Sequence, residues 1–182
     1  MPRLRRIPRE EMSPDQLSLV DRGPKVRDRA KQGPFLTWLY RPELAKKMAV
    51  VMPYWHQMEV DYGLSEMATA MVARAWKAQY AWYNHSVQAV ENGVDRGVME
   101  AIKERRTPVF KKPGEEAVYT VVNELLETRS VSDATYNRAK EVLGETGLID
   151  IVQVAGFYSL VSMNEAIFGS AMPEGVPPLL ED

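Results

Sequence analysis

The sequence predicts an all-α fold built as a single domain. Three observations lead there: strand signals are scarce, helix start and stop signals are frequent, and apolar residues recur at helical spacing. Few segments alternate apolar with polar residues, and no Asn-Gly or Asp-Gly hairpin turn lies between β-branched runs. A chain of 182 residues fits one domain and is long enough to bury a proper core.

The elements follow from local signals. Ser13-Pro14-Asp15-Gln16 reads as an N-cap, a proline at the first helical position and a capping-box glutamine, with the helix ending near Gly23-Pro24. Gly33-Pro34 marks a second break, so residues 23–40 are expected as short helical turns and loop. Pro42 starts the next helix, followed at helical spacing by Leu44, Met48, Val51 and Trp55, and Pro53 is expected to kink it or end it early. Ser65 is the expected cap of an alanine- and methionine-rich central helix to about Lys77. A further helix covers roughly 79–92, and Asp95 caps a short one to about Arg105. Lys103 to Lys112 and Pro113-Gly114 read as loop; residues 115–128 are helical. Ser132 caps the following helix, and Gly144 and Gly147 are expected to bracket a turn into the last one.

That last helix lies in the longest apolar stretch, Leu148 to Phe168. Asp150, Gln153, Asn164 and Glu165 interrupt it, which favours a buried core helix over a membrane span. The proline-rich tail PEGVPPLLED is expected to extend over the surface. The organisation expected is an N-terminal extension over 1–40, a helical core over 41–170 and a tail over 171–182.

Composition narrows the chemistry. Without cysteine there are no disulfides, iron–sulfur clusters, thiolate zinc sites or thiol nucleophiles. A net charge of -2 gives no reason to expect nucleic acid or a membrane surface as partner. The N-terminal MPRLRRIPREEM lacks the apolar run of a signal peptide, so cytoplasm is the expected compartment.

His85 is the main acid/base candidate. Histidine exchanges a proton near neutral pH, and Ala78, Ala81, Trp82 and Ala89 share its helix face, leaving room for a pocket or for close helix packing. Glu66, early in an apolar helix, is the second; if the two met, the carboxylate would orient the ring. Asp150, Gln153, Phe157 and Asn164 fall on one face of the last helix, either lining a pocket or bonding across a subunit interface. His56, Glu59 and Asp61 make a weak metal motif, and no metal is expected. Lys103, Arg105, Arg106, Lys111 and Lys112 form a basic loop that is either simply solvated or draws in an anionic substrate.

The run from Glu66 to Gly93 resembles the carboxymuconolactone decarboxylase family, which includes the alkylhydroperoxidase D-like proteins. Its peroxidase branch spaces a glutamate, two cysteines and a histidine as this chain spaces Glu66, Ala78, Ala81 and His85. The segments ARAWKAQYAWYNH, ELLETRSVSDATY, VQVAGFYSLVSMNEAIF and PEGVPPLL look like its cysteine-free members. The resemblance implies an alkylhydroperoxidase D-like helical domain, a homo-oligomer (trimer or hexamer), and a small-molecule substrate. It also implies decarboxylase-like chemistry without a cofactor, and no thiol peroxidase activity. In that chemistry His85 is the proton donor, Glu66 orients it or holds a proton itself, and Tyr80, Tyr83 or Trp82 donates to the developing oxyanion; from the face of the last helix, Gln153 and Phe157 are the further candidates for substrate binding. Many cysteine-free relatives carry an acid where this chain has Ala81. A non-catalytic binding or assembly protein on the same scaffold is the alternative.

Overall fold

Helices carry the structure, and among the described residues there is no strand. The computed structural model describes residues 3–22, 35–170 and 172–181. Helix α1 (Pro14–Val20) opens as expected: the Ser13 hydroxyl accepts from the Gln16 N–H, and the Gln16 side chain accepts from the Ser13 N–H. The breaks expected at Gly23-Pro24 and Gly33-Pro34 lie outside the described residues. Helix α2 (Phe35–Leu39) is short and buries Leu36, Trp38 and Leu39. Gln16 reaches across to donate to the Leu39 carbonyl. Helix α3 (Pro42–Val51) starts at its proline and ends before Pro53, where the chain tightens into a 3-10 turn over Met52–His56.

Helix α4 (Tyr62–Ala75) is the centre of the molecule. Gly63 and every residue from Ser65 to Arg74 are buried, which its small, apolar sequence permits. It begins earlier than expected: Asp61 occupies the cap position, and Ser65 lies inside the helix with its hydroxyl donating to the Tyr62 carbonyl. Helix α5 (Gln79–Glu91) packs along α4, and Gly63 makes the close approach possible, since a Cβ there would sit 2.4 Å from the Asn92 carbonyl oxygen. Helix α6 (Arg96–Lys103) is capped by Asp95, whose carboxylate accepts from the Gly97 N–H. Helix α7 (Pro113–Thr128) begins at the proline itself rather than at residue 115, because a proline at the first helical position loses no hydrogen bond.

Helix α8 (Asp133–Phe168) is capped by Ser132 and broken once, at Gly144, with φ 74° and ψ 170°. Gly147, expected to share the turn, lies inside the helix beyond it. One main core joins α4 to α8, with Met67, Met71, Val72, Trp82, Val118 and Ile151 at its centre. A smaller core seats the N-terminal helices on α8 through Leu19, Trp38, Leu39 and Val161. The tail does more than extend over the surface. Leu180 is buried in the main core, and the Gln79 side chain binds the Leu179 and Leu180 N–H groups and the Leu180 carbonyl.

Helix α8 buries one face and exposes another. Ile149, Val152, Leu160, Met163 and Ile167 stand 37 to 56 % exposed on the side away from the core. Gly156 sits among them with open space where a Cβ would be. No exposed charge falls between Thr146 and Phe168.

Candidate functional site

The fold brings Glu66 and His85 together. Glu66 projects from the second turn of α4 and His85 from the second turn of α5, and the packing of these helices sets His85 Nδ1 2.5 Å from Glu66 Oε2. The Glu66 side chain is 8 % exposed and that of His85 18 %, so the pair is sheltered but His85 still reaches the surface. With Glu66 ionised, Nδ1–H donates to it. The ring is then fixed in one tautomer, and Nε2 is left to take or give a proton. The ring of Tyr158, from α8, lies edge-on to the imidazole with centroids 4.6 Å apart.

The remaining sequence candidates divide. Phe157 joins an aromatic cluster with Trp38, Trp55 and Tyr158, one ring removed from His85. Trp82 is buried in the main core, 4 % exposed, alongside Ala78 and Ala81. Tyr80 and Tyr83 are half-buried on α5, and Gln153 is exposed on α8. The polar face of α8 does not act as one unit. Asp150 is fully buried and accepts from the Tyr54 hydroxyl and the Glu59 N–H, anchoring the 3-10 turn, while Asn164 donates to the Leu160 carbonyl of its own helix. His56 packs against the Tyr62 ring, and no three His, Asp or Glu side chains among the described residues converge on a metal position.

Three residues that sequence reading passed over are placed to matter. Tyr158 is one. Glu165 is the second: it is 7 % exposed and accepts from the N–H groups of Tyr80 and Ala81, at the start of the His85 helix. Burial pushes its carboxyl up from 4.5 to about 7, against the lowering effect of those N–H groups. Its only sequence signal is an acid in an otherwise apolar run. Arg74 is the third, nearly buried at the far end of α4 from Glu66.

Two cavities stand out, and neither includes His85. One of about 280 Å³ is lined by Arg74, Arg105 and Arg106 with apolar neighbours; one of about 200 Å³ lies between the start of α4 and the α5–α6 turn. Comparison with known proteins finds no match: no family model, no curated protein and no solved structure aligns with this chain.

Proposed function

We propose that this protein is a cofactor-independent lyase of the decarboxylase type, or an isomerase, acting by proton transfer on a small carboxylated lactone or conjugated carbonyl compound. The contact between Glu66 and His85 carries the reading, because a buried carboxylate that fixes an imidazole leaves the other ring nitrogen aimed at a single task. In the decarboxylation, the bond from the ring carbon to the carboxylate breaks and CO2 leaves. The electron pair moves into the conjugated carbonyl as a dienolate, and protonation at carbon completes the turnover. His85 delivers that proton, and Glu66 balances the charge of the imidazolium that precedes delivery.

The Glu165 carboxyl bonds to the Ala81 backbone, one helical turn before His85, and at neutral pH it is poised to hold a proton. The resemblance to the carboxymuconolactone decarboxylase family supports the same reaction class. The chain is further proposed to be cytoplasmic and to act as a homo-oligomer; the uncharged apolar face of α8 supports the second of these.

A non-catalytic binding or assembly role is the second reading. It is favoured by the tight burial of Ala78, Ala81 and Trp82, which fills the space beside the histidine helix. Incubating carboxymuconolactone and a panel of small conjugated keto acids in D2O separates the two. Catalysis gives CO2 release or deuterium at carbon, and His85→Ala lowers the rate by roughly 10²–10⁴ with an unchanged circular dichroism spectrum. An equal rate in His85→Ala removes the assignment.

A further inference from the structure

At the other end of α4, eight residues or ~12 Å from Glu66 along the helix, three guanidinium groups meet around the 280 Å³ cavity. Arg74 is 92 % buried by its 8 % exposure; its Nε donates to the Lys103 carbonyl, but its buried Nη1 has no hydrogen-bond partner. An unpaired N–H on a charged buried group costs free energy, and arginine does not escape the cost by losing its proton. Burial, and next the charge of Arg105, hold the Arg74 guanidinium below its ordinary value. Arg105 itself has no carboxylate partner among the described residues, whereas Arg106 is held by Glu104 at 2.6 Å. The backbone gathers these charges: Arg105 has a left-handed φ of 57°, and the Arg105 and Arg106 N–H groups close the end of α6 on the Ile102 and Ala101 carbonyls. The lining is completed by Met71, Ala75, Ile102 and Leu126, with Tyr119.

We propose that this cavity binds a small organic anion, a carboxylate carried on an apolar body. Two guanidiniums without carboxylate partners match one carboxylate, and a guanidinium presents its N–H donors in the geometry a carboxylate accepts. Met71, Ile102 and Leu126 in the lining favour a ligand that carries an apolar body over a bare inorganic anion. The cavity volume lies just below the usual range of small-molecule sites, which limits the ligand to a single ring or a short chain. This site is separate from the Glu66–His85 pair and goes beyond the proposed reaction: it is a second place on the chain that recognises a carboxylate.

The test uses 4-fluorobenzoate as the probe, followed by fluorine NMR and calorimetry on the full chain. The expected result is saturable binding to the wild type and to His85→Ala alike, and binding at least about tenfold weaker in Arg105→Gln, whose exposed side chain can be changed without disturbing the core. Arg74→Met abolishes binding; should that variant not fold, Arg105→Gln decides alone. Sulfate and 4-fluorobenzyl alcohol, each lacking one half of the recognition, bind at least about tenfold more weakly. Absence of saturable binding overturns the proposal, as do equal affinity in Arg105→Gln, equal affinity for the alcohol, and binding lost in His85→Ala, which would move the probe to the other site.

Discussion

At the scale of single residues, Glu165 couples stability to pH. Its carboxyl titrates near 7 in the folded chain and near 4.5 when released. Between these values the folded state holds a proton that the unfolded state has lost. The resulting stabilisation is complete below about 4.5 and disappears as pH rises through 7, a change on the order of 3 kcal/mol. Glu165→Gln keeps an acceptor for the Tyr80 and Ala81 N–H groups but cannot ionise. Denaturant titrations from pH 5 to pH 8 should therefore show wild-type stability falling relative to the variant; parallel curves would exclude this role for Glu165. The Glu66–His85 pair was legible in the sequence because its two members sit on neighbouring helices at a spacing that resembles a known pattern. Glu165 and Arg74 were not, since each matters through groups far away in the chain; a charged residue in an apolar run signals burial but not what it will touch.

At the scale of elements, local chemistry foretold most boundaries. Ser13, Asp95 and Ser132 cap helices as their side chains dictate, and Pro53 ends an α-helix. The misses have a common cause. In sequence Ser65 looks like a cap and Pro113 like loop because several neighbouring residues can each start a helix, and tertiary packing selects among them. Gly144 and Gly147 carry the same sequence signal, yet only Gly144 adopts backbone angles that other residues avoid. Gly144→Ala should lower unfolding free energy by roughly 1–3 kcal/mol in chemical denaturation, whereas a loss within error would mean that the bend is not required.

At the scale of the whole molecule, the all-helical character was legible from composition and periodicity, while the N-terminal helices' seat on α8 was not, because it depends on scattered aromatic contacts around Phe157. The exposed face of α8 belongs to this scale too. Turning the helix end for end about Tyr158 exchanges Ile149 with Ile167 and Gly156 with Leu160, and brings Val152 next to the place of Met163. Two copies crossing antiparallel would set each Leu160 into the dent at the other's Gly156. The five side chains offer on the order of 400 Å² per copy, and the residues flanking them carry the contact towards the roughly 800 Å² per partner of a standard interface. Sedimentation analysis should find the wild type associated and Met163→Glu with Ile167→Glu monomeric at the same concentration. A monomeric wild type would leave that face without this partner.

The start of the His85 helix takes its partners from late in the chain. Glu165 holds the Tyr80 and Ala81 N–H groups, and Leu179 and Leu180 hold Gln79, about 85 to 100 residues further on. During synthesis, α4 and α5 leave the ribosome long before these residues do. The Glu66–His85 contact can form early, but its helix is clamped only when Leu180 emerges. The site is thus complete only after Leu180 has emerged, and a nascent chain stalled before that point carries the acid/base pair without the clamp that holds it in place.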